Sequence, residues 1–324
     1  MGFLYDDKTV VAIKMETTSG TWNAPTPTST SDCLQVLRGL KIDGMPSETK
    51  EIDSYAGSVV DKNATYPGKK MPKITFSTYL KVTDSVIDES NNDWYAIFSL
   101  FEIMAQNTME YNIVENKLTW KFGEKMNERT ASIAIYQDGH VYQFKGCKAD
   151  LTIKCIAGEN MVCDWTISGL FHGAATASLP TPSIWGNHYI VGKNHVSPGL
   201  TNETIESWEI AMGGKLEYIE SASAVYGVAE TFRDKYRFNI KFQSVPSAAA
   251  RVSYYEVGDV LGVTLASDNA LLPQLVFELT SGTEIDSYVS KRTTKADKGL
   301  LKIDTEVIGA NIDGISLKFT SVVA

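Results

Sequence analysis

Ser132-Ile-Ala-Ile-Tyr136-Gln-Asp138-Gly139-His-Val-Tyr142-Gln-Phe144 is the stretch that decides the fold. Two runs rich in β-branched and aromatic residues flank an Asp-Gly pair. Asp and Gly tolerate the positive backbone angles of a two-residue turn, so the stretch predicts a tight antiparallel hairpin. Outward from it, alternation at two-residue spacing dominates. Ile74, Phe76 and Leu80 alternate with Lys73, Thr75 and Ser77, and Phe238, Ile240 and Phe242 with Arg237, Asn239 and Lys241. The same rhythm runs through Leu118, Trp120 and Phe122, through Ala149–Cys155, through Cys163–Ile167, through Leu301–Val307 and through Ile315–Phe319. Such alternation sets one side-chain row on a core and the other toward water or a partner. The expected fold is mainly β: antiparallel sheets in tandem sandwich or barrel domains, with at most one flanking helix each.

One stretch reads as helix. Asp93 offers a capping carboxylate, and Trp94, Ile97, Phe98, Phe101 and Met104 recur at three- and four-residue spacing. The face they form must be covered, either by the chain's own sheet or by a neighbouring subunit; the spacing does not choose between them.

The chain resembles itself. Leu34-Gln-Val36 with Gly39-Leu-Lys41-Ile42 matches Trp208-Glu-Ile210 with Gly214-Lys-Leu216, and Lys73–Val82 matches Tyr236–Val245. Ala149–Cys155 with Cys163–Ile167 matches Leu301–Val307 with Ile315–Phe319. The order is kept, and a Gly-x-Asn turn closes each final pair. This divides the chain into an arm at 1–32, a first β domain at 33–172, a linker at 173–200 and a second β domain at 201–324. The linker holds Pro180, Pro182, Pro198 and four glycines, as a surface crossing requires.

Two irregular regions interrupt the pattern. Glu16–Asp32, dense in Thr, Ser and Pro, predicts an extended N-terminal arm, with Glu16, Thr18 and Trp22 as its candidate contacts. Pro46–Pro72 is far longer than a hairpin loop, which normally has two to five residues. It carries Ile52, Tyr55, Val59, Val60 and Tyr66, and its acids balance its bases. A neutral loop with that apolar content fits burial against a neighbour, or against itself.

Composition narrows the function. The 324 residues hold 30 basic and 39 acidic side chains, a formal charge of −9, and each half is acidic. Neither half is a basic module built to grip nucleic acid. No leader is read in Met1–Val11, so synthesis and folding in the cytosol are expected. Trp94–Ala105 is too short to cross a bilayer. The four cysteines lack CxxC spacing and read as buried hydrophobes. No nucleotide, zinc-protease or serine-hydrolase motif occurs, and no cofactor or metal is expected. Glu203, Glu206 and Glu209 recur every third residue, which fits a solvated face better than a glycosidase pair on opposite walls of a cleft.

Ala12-Ile-Lys14-Met-Glu16-Thr-Thr18-Ser-Gly20-Thr21 resembles the opening of tail tube proteins of long-tailed bacteriophages. The Tyr136-Gln-Asp138-Gly139 hairpin is similar too, as are Phe144-Lys-Gly146 and the run from Gly158-Glu159 to Trp165-Thr-Ile167-Ser-Gly169. The resemblance covers most of 8–173 and reaches 200–324 only through the internal repeat, which lacks the Asp-Gly hairpin. It implies a structural virion protein, made in the host cytoplasm, whose rings stack into a channel for DNA ejection. Neighbours complete the β-barrel, and three duplicated chains give a ring with pseudo-sixfold symmetry. The implied partners are other copies, then tape-measure, tail-tip and tail-terminator proteins, with DNA as passing cargo and no membrane. Ile52, Tyr55, Val59, Val60 and Tyr66 become the inter-ring loop, and the acid excess a lumen that repels phosphate. A carbohydrate- or receptor-binding β-sandwich is the alternative, since six Trp and 15 Tyr can stack on sugars; a hydrolase would need a nucleophile and base that the sequence does not bring together.

Overall fold

The computed structural model describes residues 9–29, 31–34, 36–37, 39–44, 49–51, 65–67, 69–79, 81–82, 96–106, 110–112, 117–122, 129–137, 139–156, 159, 161–181, 189–190, 195–196, 203–246, 263–267, 274–279, 287–297, 300–309 and 315–320. The chain is mainly β, all of its strand pairs are antiparallel among these residues, and one helix spans Ala96–Ala105.

Eight strands form a continuous path. Their spatial order is Lys41–Asp43, Lys73–Tyr79, Val162–Thr176, His140–Ile156, Glu203–Glu220, Val228–Pro246, Leu300–Gly309 and Ser287–Asp297. The sheet branches at His140–Ile156. Near its start this strand pairs with Ala131–Gln137, and from Leu151 to Ile156 the same edge pairs with Met212 to Ser207. A bulge and the left-handed Gly146 (φ 59°) lie near the end of the first pairing, between the Phe144–Ile133 and Cys147–Ala131 pairs, before the strand passes to its second partner. Thr9–Met15 and then Cys33–Leu34 continue the branch.

The hairpin at Asp138-Gly139 forms as expected: Gln137 stands opposite His140, and Gly139 has φ 78°. The alternation also maps onto burial. Ile74, Phe76, Cys163, Trp165, Leu151, Ile153, Ile210, Ile240 and Phe242 all lie inside.

The helix is enclosed rather than flanking. Ala96, Ile97, Phe98, Leu100, Phe101, Ile103, Met104 and Ala105 are buried, more than one stripe of the helix. Phe101 sits between Trp120 and Trp165, with ring centroids 4.9 and 5.3 Å away. A helix apolar on most sides belongs inside a core. It ends at Gln106, in the left-handed conformation (φ 53°), whose amide donates to the carbonyls of Ile103 and Arg129. Asp93 and Trp94 lie outside the described residues.

A second sheet orders His195–Val196, Val263–Ser267, Gln274–Leu279, Ile315–Thr320, Lys117–Lys121 and Glu110–Asn112. Ile315–Thr320 thus pairs with Lys117–Lys121, far away in the sequence.

Candidate assembly surfaces

The two parts of the long sheet repeat one arrangement. In the first, the hairpin of Lys41–Asp43 and Lys73–Tyr79 is joined, through Lys73–Tyr79, to Val162–Thr176, which carries His140–Ile156 on its other side. In the second, the hairpin of Glu203–Glu220 and Val228–Pro246 is joined, through Val228–Pro246, to Leu300–Gly309, which carries Ser287–Asp297. Both read hairpin, hairpin, with the second inverted. The equivalence differs from the sequence match by one strand. Leu300–Gly309 takes the place of Val162–Thr176, not of Ala149–Cys155, while Ile315–Thr320 leaves for the second sheet. Alternating apolar strands look alike, so similarity alone assigned the wrong neighbour.

The last strand of the first group and the first strand of the second form the joint between them. Ile153 faces Ile210, both fully buried, and Lys154 faces Glu209 on the opposite side of the sheet. At the ends of the path, Lys41–Asp43 and Ser287–Asp297 have no further strand beside them among the described residues. The path does not close. Unpaired N–H and C=O groups on such edges are templates for another strand.

The side of the sheet away from the core is ionic. Lys154, Glu209, Lys241, Glu306 and Lys291 stand opposite one another on five successive strands. Lys154 also reaches Asp164 on its other flank at 2.7 Å; that hydrogen bond and the charges of Asp164 and Glu209 hold its ammonium above the usual lysine range, against partial burial. Lys302 pairs with Glu206 at 2.7 Å, and Gln243 donates to Asp304 at 2.8 Å. A groove of about 470 Å³ runs here, lined among others by Lys154, Glu209, Lys241, Lys291, Asp304 and Glu306. Glu206 and Glu209 are therefore members of a charge-paired strand face, not of a two-walled cleft.

The hairpin of the second group bends at Gly213 and lays its tip on the first. A Cβ at Gly213 would come within 2.5 Å of the Asp150 carboxylate. Asp150 accepts from Gly214 N and pairs with Arg233, whose side chain is 1% exposed and also donates to Ala149 O. Burial raises the Asp150 carboxyl, and the Arg233 guanidinium opposes that rise. Farther out, Thr231 donates to Gly146 O, Tyr218 to Pro72 O, and Tyr226 meets Phe171 edge to face. Lys70 Nζ lies over both rings at 4.3 and 4.4 Å, and Lys69 pairs with Glu220. The root of the long loop is thus fastened to the second group.

The segment expected as an extended N-terminal arm is bound to its own chain. Thr9–Met15 is an inner strand between Ala131–Gln137 and Cys33–Leu34, because Val10, Val11, Ala12 and Ile13 are apolar on both faces. Glu16 is 7% exposed, and its carboxylate accepts from Gly20 N, Gly146 N, Thr130 Oγ1 and Ser132 Oγ at 2.6–2.8 Å. A buried carboxylate needs that many donors, and with two bonds accepted at each oxygen Glu16 has no acceptor site left to offer a neighbour. Thr18 is exposed, and Trp22 stacks on His172 at 4.8 Å. Of the long loop, Thr49–Glu51 pairs with Thr65–Pro67, so Tyr66 belongs to a two-stranded ribbon opposite Lys50. Ile52, Tyr55, Val59 and Val60 lie outside the described residues. Ile97, Phe98 and Phe101 are brought together inside the molecule. In the linker region, strand Val162–Thr176 runs past Gly173, and Tyr189–Ile190 pairs with Lys81–Val82.

No protein-family model matches the sequence, and neither does any curated protein.

Proposed function

We propose that this chain is a structural subunit of a bacteriophage tail tube, built from two tandem tube domains at 33–172 and 201–324. One observation carries the reading: a four-strand arrangement occurs twice in one sheet, the copies are joined edge to edge, and the outer edges carry no further strand among the described residues. An interface that exists once inside the chain can be repeated between chains, with the Ser287–Asp297 edge of one copy meeting the Lys41–Asp43 edge of the next. Three copies would supply six such groups and close a barrel, which removes the edges altogether. Stacked rings then conduct DNA as passing cargo. The inter-ring contact is assigned to Ile52, Tyr55, Val59, Val60 and Tyr66 of the long loop, with Thr18 and Trp22 as the surface of the N-terminal segment. The protein is a virion component without catalytic activity or cofactor, and it meets the tape-measure, tail-tip and tail-terminator proteins at the ends of the tube.

The carbohydrate-binding alternative has less support. Trp120, Trp165 and Trp208 are buried, and Trp22 already stacks on His172. Negative-stain microscopy of the purified chain over a concentration series tests the proposal. Rings, or tubes with a regular axial repeat, are expected at high concentration. Discrete single particles throughout, in the presence of an isolated tail tip as nucleus, would refute it.

A further inference from the structure

The two outermost strands of the long sheet carry charges that the chain itself leaves unused. Lys41 and Asp43 are exposed on one edge and Lys295 on the other. None of the three joins an ion pair among the described residues, although Asp43 stands opposite Lys73. The sheet between these edges is charge-paired, with Lys154 on Asp164 and Lys302 on Glu206.

Side-chain parity limits how the edges can meet. Ile42 packs against the core, so the residue opposite it must face the core too; a slip of one residue sends every side chain to the other side. Ser287, Val289, Arg292 and Thr294 continue the rows of buried Phe238, Ile240, Phe242 and Ser244, and Ala296 follows by alternation. Charge then discriminates among these five. With Ile42 opposite Thr294, Lys41 meets Lys295. With Ile42 opposite Arg292, only Asp43 finds a counter-ion, Lys291. With Ile42 opposite Ala296, Lys41 meets Asp297 and Asp43 meets Lys295, two opposite-charge pairs of the kind that stabilise neighbouring strands.

Barrel geometry selects the same register. A straight row of paired residues runs from Phe76 through Leu151 and Met212 to Ser287. Ile42 lies opposite Ile74, two residues from the start of that row. With Ile42 of the next copy opposite Ala296, the row re-enters about ten residues farther along the first strand for about eight strands crossed. At ~3.3 Å per residue and ~4.8 Å between strands this is a tilt of roughly 40°, inside the usual ~35–45° of barrels. Thr294 gives roughly 35°, Arg292 roughly 27°, and Val289 and Ser287 under about 20°. The tilt is the same for any number of copies, because shift and strand count grow together.

We propose that copies of this chain join in a single register, Ile42 of one opposite Ala296 of its neighbour, locked by Asp43 against Lys295 and Lys41 against Asp297. The proposal rests on the tail-tube reading and specifies the contact by which its rings close.

The test is coupling of the wild-type protein with a water-soluble carbodiimide, which joins a carboxylate and an amine in contact as an amide, the water lost passing to the reagent. Peptide mass spectrometry compares assembled rings or tubes with dilute protein. An Asp43–Lys295 amide is expected in the assembly and not in the dilute chain, whose two edges lie at opposite ends of the strand path. Lys295→Arg keeps the charge but cannot be coupled, so its rings are expected to lose that link. Rings or tubes in which the wild-type link is missing, or in which Asp43 is joined to Lys291 instead, overturn the register and leave the tube reading standing. A chain that never assembles sinks both.

Discussion

The two groups of strands share an order but not a lining. The first covers its apolar side with an enclosed helix: Phe101 fills the space between Trp165 of the long sheet and Trp120 of the other. The second has no described helix, and its Phe238 packs instead on Phe122, a residue from the first part of the chain. The Ile315–Thr320 strand returns the exchange by pairing with Lys117–Lys121. Similar arrangements can therefore depend on each other for their cores, and a duplicated unit need not be an independent one.

That dependence is open to direct attack. Phe101→Ala removes the ring wedged between two tryptophans and is expected to cost about 3–5 kcal/mol. Phe238→Ala, on the other side of the comparison, is expected to cost nearly as much. Calorimetry of both variants should show one transition moving to lower temperature. Two separate transitions, each sensitive to one variant only, would break the picture of shared cores.

The clasp between the groups comes next. Arg233→Met strands the Asp150 carboxylate. The cost is set at about 2–3 kcal/mol, below that of a fully buried pair, because the Asp150 side chain keeps 26% exposure. Urea titration of the variant measures it, and a loss under 0.5 kcal/mol would mean that the clasp is ornamental. Gly213→Ala pushes a methyl group into the same carboxylate and is expected to cost about 1–3 kcal/mol. The bend would straighten and Tyr226 would leave Phe171, visible as a change in near-ultraviolet dichroism.

Alkaline pH probes the joint. Burial pushes the Cys155 thiol up to about 12, from the 9.0 of an exposed thiol. In the unfolded chain the proton leaves near 9, while the folded chain retains it. Unfolding therefore releases a proton between pH 9 and 12, and stability falls as pH rises through that window. Tyr218, pushed up to about 12 by burial from 10.0, adds to the fall above pH 10. Melting temperatures at pH 8 and 10 should differ, and less so for Cys155→Ala. The smallest effect is expected from Glu209→Gln, within about 1 kcal/mol, since its pairing with Lys241 is exposed and long at 3.8 Å.

What could be read from the sequence divides along a physical line. Alternation names the residues that face inward, so Ile74, Trp165, Ile153 and Phe242 were legible, as were the Asp138-Gly139 turn and the helix through Phe101. Alternation says nothing about which edge meets which. Hence the joint of Leu151–Ile156 with Ser207–Met212 was invisible, and Ile315–Thr320 was matched to the wrong strand. Glu16 was noticed for its Thr-rich surroundings, but its donors Ser132 and Gly146 lie more than a hundred residues away. The alternating row through Lys154 and Glu209 exists only once the strands are aligned.

The crossed pairing of Ile315–Thr320 with Lys117–Lys121 has a consequence for synthesis. The later strand leaves the ribosome about two hundred residues after its partner, so contacts of high sequence separation must wait for it. Until then the edge of Lys117–Lys121 remains open on a nascent chain that already holds most of its apolar residues. A chaperone that shields this edge during translation would raise the yield of native protein. Termination before Ile315 would give a product prone to pair with its siblings in inclusion bodies.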